Sequence, residues 1–307
     1  MSSFGDLNRV NTNIQSLDSQ LSLNRINRDL ADNQLRLSTG LRINRAEDDA
    51  AGYSIATKLD SRVEGLDQAL QNVGDAKSVL DIAESSFDTI MDNLIEMKGL
   101  ATQAANETLG ETERGYIGEQ IAALGQDINQ IANQTVFQDF DLLNGEGGDY
   151  ESDLSLTFQV GERAEDTLQT DISPVNVGTL FGGEIDHDTV ITSDDTNQGA
   201  LTFAVDGVSS ATAAGAFRAF IGDIDGAIDS MSDRVNEVGI AQSSLSIREV
   251  TLSESISANQ SASSRIMDTD FAKEQSESVR LQILQQTATS ALAQANQGPQ
   301  SVLGFLG

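Results

Sequence analysis

The sequence is poor in several residue types: it has no cysteine and no tryptophan, and only two prolines and one histidine among 307 residues. Without cysteine, disulfide bonds, thiolate metal sites and a cysteine nucleophile are excluded. Aromatic residues account for 5% of the chain and hydrophobic residues for 38%, which is little for a thick globular core. Long helices packed side by side need fewer apolar residues and few prolines. The composition therefore favours an elongated helical protein.

Long apolar runs are also missing. No stretch of about 18 apolar residues is present, so no membrane-spanning helix is expected. The first twenty residues hold Asp6, Arg9 and Asp18 and no apolar block, so we do not expect a cleavable signal peptide.

Basic residues are scarce and unevenly distributed. The formal net charge of −30 argues against nucleic acid as a partner, because contacts with phosphates require clustered Lys and Arg. Residues 1–45 carry six Arg against four Asp, and residues 280–307 carry one Arg and no acid, whereas the middle is strongly acidic. This pattern predicts that the ends are buried among many copies of the chain while the middle faces solvent. An acidic protein from a salty habitat, where salt screens repulsion, explains the same charge.

The longest regular pattern lies between residues 217 and 266. Apolar residues alternate there at spacings of three and four, and only Gln242 and Glu249 interrupt the register. Such a stripe predicts one long helix that packs against another helix. The residues of this stripe are Ile221, Ile224, Ile228, Met231, Val235, Val238, Leu245, Leu252 and Ile256.

Similar stripes occur before residue 135. One runs from Val63 to Ala101 with a second stripe beside it, and another runs from Ile117 to Ile131. Three helices suffice for a bundle in which each apolar seam finds a partner within the chain. Asn44 is a plausible N-cap for the first of these helices. The predicted core residues from this part are Leu66, Leu70, Val73, Leu80, Phe87, Met91, Leu94, Ile121, Leu124 and Ile128.

Both chain ends carry helical stripes of a different kind. The N-terminal end has two stripes out of phase, which implies two sets of neighbours on one helix, and the C-terminal stripe is rich in alanine. We therefore expect these ends to become ordered only in an assembly. The predicted self-assembly residues are Leu7, Val10, Ile14, Leu17, Leu21, Ile26, Leu30, Leu281, Leu284, Ala288, Ala291, Leu292, Ala295, Val302 and Leu303.

Between these helices the period changes to two. Alternation over residues 154–160 and 168–172 predicts a β-hairpin, and a further short strand is expected near Leu201. The predicted fold is mainly α, a long antiparallel coiled coil and helical bundle formed by both chain ends, with small β-hairpins in the middle. We predict three parts. Residues 1–43 with 271–307 form a terminal coiled-coil domain, and residues 44–172 with 205–270 form a helical rod domain with a β-hairpin. Residues 173–204 form a short polar outer insert.

No pattern points to catalysis, a metal or a cofactor. His187 is the single histidine, and no Gly-x-Ser-x-Gly motif accompanies it. Three sequences match the acceptor pattern for N-linked glycans, beginning at Asn106, Asn133 and Asn259. We expect all three to lie in helices or at helix ends, and Ser and Thr residues between Thr189 and Ser210 to be more favourable sites of modification.

Longer motifs lie toward the two ends, at residues 41–56 (LRINRAEDDAAGYSIA), 264–272 (SRIMDTDFA) and 282–303 (QILQQTATSALAQANQGPQSVL). These motifs resemble bacterial flagellin, and the resemblance extends over roughly residues 1–172 and 205–307. It implies a structural subunit of the bacterial flagellar filament that polymerises through its terminal helices into a hollow propeller for swimming. It also implies that the terminal coiled coil lines the central channel and that the rod domain surrounds it.

The same resemblance implies location and partners. The filament is extracellular, and members of the family leave the cell through a type III export apparatus without a cleaved signal. Other implied partners are further copies of the chain, an export chaperone at the C-terminal helix, and the filament cap and hook-junction proteins.

Some flagellins are recognised by an innate immune receptor of the Toll-like class through a basic-rich QRVRELA pattern. The matching run here begins at Ile95, has Glu96 in place of the first Arg and Gly99 in place of the Glu. We therefore expect weak or absent receptor activation from the segment Ile95, Glu96, Met97, Lys98, Gly99 and Leu100.

Two other interpretations remain open. A hook-filament junction protein would share the terminal helices but would be scarce in sheared filaments. A secreted coiled-coil adhesin would be a stable monomer with ordered ends.

Overall fold

A computed structural model of the chain describes residues 12–138, 140–145, 152–181, 186–187, 190–194, 200–205 and 207–303. Helices dominate these residues, which confirms the predicted mainly α fold. The helices are α1 (Ile14–Thr39), α2 (Ala50–Ala104), α3 (Glu111–Gln134), α4 (Val177–Leu180), α5 (Ser210–Met267) and α6 (Phe271–Leu303). Among the described residues, no helix is long and apolar enough to cross a membrane.

The strands are short and antiparallel. They are β1 (Val136–Phe137), β2 (Phe140–Asp141), β3 (Leu154–Gln159), β4 (Thr167–Ile172), β5 (Asp186–His187), β6 (Ile191–Asp194) and β7 (Ala200–Phe203). Strands β1 and β2 pair with each other, β3 pairs with β4, and β5, β6 and β7 form one sheet in that order. The hairpin of β3 and β4 runs in the register that pairs Leu154 with Ile172. The predicted hairpin and the predicted strand near Leu201 are therefore both present.

The start of α2 differs from the sequence-based expectation. The Asp49 Oδ1 atom accepts hydrogen bonds from the N–H groups of Ala51 (3.1 Å) and Gly52 (3.0 Å), so Asp49 caps the helix rather than Asn44. The Asn44 side chain instead donates to the Leu41 carbonyl (2.9 Å). Residues 45–48 form a bend and a turn instead of the first turns of the helix. The Asp48 carboxylate stabilises this turn by accepting hydrogen bonds from the N–H groups of Asn44 and Arg45.

The chain divides into two compact units. Unit 1 comprises residues 1–64 with 256–307, and unit 2 comprises residues 65–255.

In unit 2, apolar side chains line the inner faces of α2, α3 and α5. Phe87, Leu94 and Ile121 are almost completely buried, because the three- and four-residue spacing brings them to one side of each helix. Polar contacts flank the buried stripe; the Lys77 Nζ atom lies 2.9 Å from Glu249 Oε2, for example. Unit 2 thus has the core that a self-contained bundle requires.

The stretch expected to form a polar outer insert, residues 173–204, contains several fully buried apolar residues within unit 2. These residues are Val175, Val177, Leu180, Val190, Ile191 and Leu201. Strand β7 packs on α3, where Gly118 leaves room for Phe203: a Cβ atom added to Gly118 would lie 2.7 Å from Phe203 Cβ. The Phe203 ring also lies 5.8 Å from the rings of Phe217 and Phe220. The polar composition of residues 173–204 did not indicate this burial, because each short strand buries only one or two side chains.

Candidate assembly surface

Helices α1 and α6 pair in an antiparallel manner within unit 1. At one end of the pair, Asn13 Nδ2 donates to the Ala295 carbonyl (2.8 Å). At the other end, Asn33 Nδ2 donates to Glu274 Oε2 (2.6 Å) and to the Glu274 carbonyl (3.0 Å).

The surface between α1 and α6 is unusually polar for a two-helix pair. Asn33 is only 3% exposed, and its Oδ1 atom is buried without a hydrogen-bond partner. Ser278 is also buried, and Gln285 Nε2 donates to Asn27 Oδ1 (2.8 Å). Polar side chains therefore share this surface with the buried apolar residues Leu281 and Ala295.

Large apolar side chains lie on the outside of the same pair. On α1, Leu17 is 52% exposed and Leu21 is 53% exposed; on α6, Ile283 is 58% exposed and Leu284 is 40% exposed. Exposed apolar residues of this size on neighbouring helices are typical of interaction surfaces. We use the name "outer apolar face" for Ile14, Leu17, Leu21, Val279, Ile283 and Leu284, all of which are exposed.

The predicted self-assembly residues fall into four groups. Leu281 and Ala295 are buried; Ile26, Leu30, Ala288 and Leu292 are half-buried; Ile14, Leu17, Leu21, Leu284 and Ala291 are exposed. Leu7 and Val10 lie outside the described residues. Val302 and Leu303 lie in α6, but their side chains are outside the description.

The predicted rod core lies along the inner faces of α2, α3 and α5. The residues Leu66, Val73, Leu80, Phe87, Leu94, Ile121, Ile128, Ile224, Met231, Val238, Leu245 and Leu252 are buried, and Leu70, Met91, Leu124, Ile221, Ile228, Val235 and Ile256 are half-buried. Ile256 belongs to unit 1 and the others to unit 2.

The turn that follows α1 is pinned within unit 1. Gly40 ends α1 in the left-handed conformation (φ 74°), which glycine adopts without strain. Leu41 forms an antiparallel bridge with Asp268, and the Arg42 N–H donates to the Met267 carbonyl (2.6 Å).

Further along the same turn, the Asp48 carboxylate accepts backbone N–H bonds from Asn44 and Arg45, both at 3.0 Å. These bonds favour the charged form of the carboxylate and hold its pKa below the ordinary value. The charged Asp48 carboxylate therefore stabilises the turn between α1 and α2.

The segment that corresponds to the immune-receptor pattern lies on α2. Ile95, Glu96 and Gly99 are exposed, Lys98 and Leu100 are half-buried, and Met97 is buried. The Lys98 Nζ atom lies 2.5 Å from Asp225 Oδ1, so the cation of this segment is already paired within unit 2.

Sequence patterns missed two buried polar residues, Asn33 and Arg114. Arg114 is 1% exposed and donates to the carbonyls of Ala104 (3.0 Å) and Asn106 (2.8 Å) and to the Ser210 hydroxyl (2.7 Å). Arg114 lies three residues before Ile117, in register with the apolar stripe of α3, and this spacing could have indicated its burial.

No group of three or more potential metal ligands occurs in the described part of the chain. His187 Nε2 lies 2.5 Å from Asp223 Oδ2, and this pair connects β5 to α5 within unit 2.

The chain matches two family models. Residues 10–147 match the bacterial flagellin N-terminal helical region, and residues 221–306 match the bacterial flagellin C-terminal helical region. A flagellin of Bacillus subtilis is 33% identical over 307 residues, which span 97% of this chain and 99% of that protein. The flagellar filament 33 kDa core protein of Treponema phagedenis is 30% identical over 301 residues, with 97% and 99% covered.

Among solved structures, a protein described as a flagellar hook-associated protein from Vibrio parahaemolyticus is similar with a TM-score of 0.56 and 14% identity. The match covers 72% of this chain and 100% of that one, and it indicates a shared fold.

The matches to both terminal regions and to full-length relatives establish that the chain belongs to the bacterial flagellin family. It is a structural subunit of the flagellar filament, an extracellular assembly. The junction-protein and adhesin interpretations are not favoured by these relatives.

Proposed function

We propose that the outer apolar face of unit 1 is the surface through which copies of this chain polymerise. In this proposal residues 1–43 with 271–307 form the assembling domain, and residues 44–172 with 205–270 form the rod domain. The observation that carries the proposal is that α1 and α6 keep leucine and isoleucine side chains exposed, while Asn33 and Ser278 are buried in unit 1.

The energy available from this face supports association. Burial of one leucine or isoleucine side chain contributes about 1.5–3 kcal/mol. Leu17, Leu21 and Ile283 are each more than half exposed, so their burial against neighbouring copies removes much apolar area from water. Because this gain needs a neighbour, unit 1 is more stable in the polymer than in the monomer.

Charge supports the same surface. Residues 1–45 and 280–307 are nearly neutral in a chain with a net charge of −30. Contacts through the ends therefore avoid most of the repulsion between acidic middle regions, and salt screens the remainder. Filament growth is expected to increase with ionic strength.

A paired substitution tests the proposal. Leu17→Ser and Leu21→Ser each remove one leucine from the outer apolar face, while Gln20→Ser places the same residue at a neighbouring exposed polar position. Each leucine is already about half covered in the single chain, so its removal costs about half of the roughly 1.5–3 kcal/mol of full burial. This loss corresponds to a decrease of about four- to tenfold in the association constant. Sedimentation of polymer and electron microscopy at equal protein concentration measure this change.

We expect Gln20→Ser to form filaments like the unsubstituted chain, each single leucine variant to form less polymer, and the double variant Leu17→Ser/Leu21→Ser to remain in the supernatant. Circular dichroism of the soluble fractions checks that the helical content is the same. Normal filament growth by Leu17→Ser/Leu21→Ser would contradict the proposal.

We also infer the route and the other partners of the chain from the family. The type III apparatus exports the chain, a chaperone covers the C-terminal helix α6 before export, and the cap and hook-junction proteins contact it in the flagellum. Apolar residues of α6 such as Ile283, exposed in the single chain, offer the chaperone a surface. Weaker co-purification of the chaperone with Ile283→Ser than with the neighbouring Gln282→Ser variant is the expected result.

The receptor-equivalent segment supports a further proposal of weak immune-receptor activation. Lys98 pairs with Asp225, and the adjacent Glu96 places a negative charge on the exposed surface. A reporter-cell response to purified monomer as strong as that to a flagellin with the QRVRELA pattern would contradict it.

A further inference from the structure

The connection between α2 and α3 contains one of the three acceptor sequences for N-linked glycans, Asn106-Glu107-Thr108. Unlike the other two, it lies outside any helix, between Ala104 and Glu111. All three residues of the sequence are exposed. An exposed turn is the structural context that such an acceptor requires.

The oxygen and nitrogen atoms of the Asn106 side-chain amide differ in their hydrogen bonding. Its Oδ1 atom accepts a hydrogen bond from the Thr108 N–H (3.1 Å), which forms an Asx turn. The Nδ2 atom of Asn106 and the Thr108 hydroxyl have no partner among the described residues. The turn therefore presents the amide nitrogen and the hydroxyl of the acceptor sequence to solvent on the same short loop.

Two arginine side chains, Arg114 and Arg218, stabilise the backbone of this turn. The buried Arg114 guanidinium donates to the carbonyls of Ala104 and Asn106. Arg218 donates to the carbonyl of Ala105 (3.4 Å) and to Glu107 Oε1 (2.9 Å). These bonds hold the backbone of the turn without using the Asn106 amide nitrogen or the Thr108 hydroxyl. The acceptor conformation is therefore present before an enzyme binds.

The other two acceptor sequences lack these features. Asn133 lies in the last turn of α3, where its Nδ2 atom donates to the Asn129 carbonyl (2.8 Å) and its Oδ1 atom accepts from Asn144 (3.0 Å). Asn259 lies within α5, about two helical turns before its last residue Met267. Helical backbone cannot form the Asx turn, so both positions serve as internal controls.

We propose that Asn106 is an attachment site for a glycan. The acceptor chemistry requires a sugar activated as a diphosphate ester, supplied to a glycosyltransferase of the cell. The Asn106 Nδ2 atom attacks the anomeric carbon and a C–N bond forms as the C–O bond to the diphosphate breaks. The diphosphate leaves with the electron pair, the amide nitrogen loses one proton, and no oxidant or reductant takes part. The Thr108 hydroxyl is the second recognition element.

The test is mass spectrometry of the intact chain and of its peptides, isolated from cells of its source organism. We expect a mass above that calculated from the sequence, with the excess on the peptide that contains Asn106. Asn106→Gln and Thr108→Val remove the excess, Thr108→Ser retains it, and Asn133→Gln and Asn259→Gln leave it unchanged. Incubation of unmodified chain with a soluble extract and a nucleotide sugar, or with membranes that carry lipid-linked sugar, identifies the donor.

An unmodified Asn106 peptide from native material would overturn the proposal, as would equal modification of Asn133 or Asn259, because folded geometry would then not select the site. Loss of the mass excess in Thr108→Val, with thermal unfolding unchanged, separates acceptor recognition from a folding defect. The result is independent of polymerisation, since it is read on the single chain.

Discussion

Unit 1 and unit 2 differ in how many of their large apolar side chains remain exposed on α-helices. In unit 2, Phe87 and Leu94 are 1% and 0% exposed and face neighbouring helices of the same chain. In unit 1, Leu17 and Leu21 face outward and the helix pair is joined by Asn33 and its polar neighbours. Both units have heptad spacing, so periodicity alone does not distinguish a helix that has its partner from one that lacks it.

This difference separates the two tasks of a filament subunit. Unit 2 buries a core of apolar side chains within the chain. Under the proposal above, unit 1 buries its exposed apolar area against neighbouring molecules, so that its stability depends on assembly. The predictions that follow test this division, beginning with the largest expected effect.

Truncation of a core residue affects unit 2 far more than truncation of an outer residue affects unit 1. Phe87→Ala should reduce the free energy of unfolding of the soluble chain by about 3–5 kcal/mol, because it creates a cavity. Leu17→Ala should change it by less than about 0.5 kcal/mol, because the side chain is exposed. Urea unfolding followed by circular dichroism measures both, and similar losses in the two variants would contradict the comparison.

Removal of the buried guanidinium in unit 2 should also be costly. Arg114→Met removes the donor of the Ala104 carbonyl, whereas the Asn106 carbonyl keeps the Leu109 N–H (3.2 Å). One unsatisfied buried group costs about 1–3 kcal/mol. The control is Arg218→Met, since the Arg218 side chain is 55% exposed and its ion pair with Glu107 contributes at most about 1 kcal/mol. Equal midpoints of urea unfolding for the two variants would argue against a structural role for Arg114.

A pair of glycine substitutions tests how closely β7 approaches α3. Gly118→Ala should destabilise unit 2 by about 1–3 kcal/mol, because the new Cβ atom collides with Phe203. Gly74→Ala introduces the same methyl group in α2, where no atom lies within 4 Å, and should stabilise the helix by about 0.5–1 kcal/mol. Thermal unfolding should therefore shift in opposite directions. A stabilising Gly118→Ala would show that β7 lies further away.

The smallest effect concerns pH and the turn between α1 and α2. The pKa of Asp48 is lowered by N–H bonds from Asn44 and Arg45, so its contribution to stability is complete above the unfolded pKa of about 3.9. That contribution is lost as the pH falls through the lower pKa of the folded state. Hydrogen-exchange protection of the Asn44 and Arg45 amides should decrease below about pH 4, and this dependence should vanish in Asp48→Asn. Amides in the middle of α2 serve as the reference.

Much of this architecture could be predicted from spacing alone. The stripes on α2, α3 and α5 identified residues such as Val73, Ile128 and Met231, which are buried, because a long helix buries whatever recurs on one face. The hairpin of β3 and β4 followed from alternation in the same way. The two out-of-phase stripes of α1 likewise indicated two surfaces, one of which faces α6.

Other features could not be predicted because they depend on contacts distant in sequence. Asn33 and Arg114 are buried through partners that lie 241 and up to 96 residues away. Residues 173–204 have a polar composition, yet Val177 and Leu201 are buried because β7 and α4 meet α3. The choice of Asp49 over Asn44 as the cap of α2 likewise depends on the local turn that Asp48 holds.

Limited proteolysis of the monomer and of the polymer tests the central claim most directly. An outer apolar face without a partner leaves the ends of the chain open to fraying, and frayed segments are cleaved first. In the monomer, we predict rapid cleavage within residues 1–43 and 271–307 and a resistant fragment that contains unit 2. In the polymer, we predict protection of both ends at the same protease concentration. Ends that are equally resistant in the dilute monomer would contradict the claim that unit 1 obtains its stability from neighbouring copies.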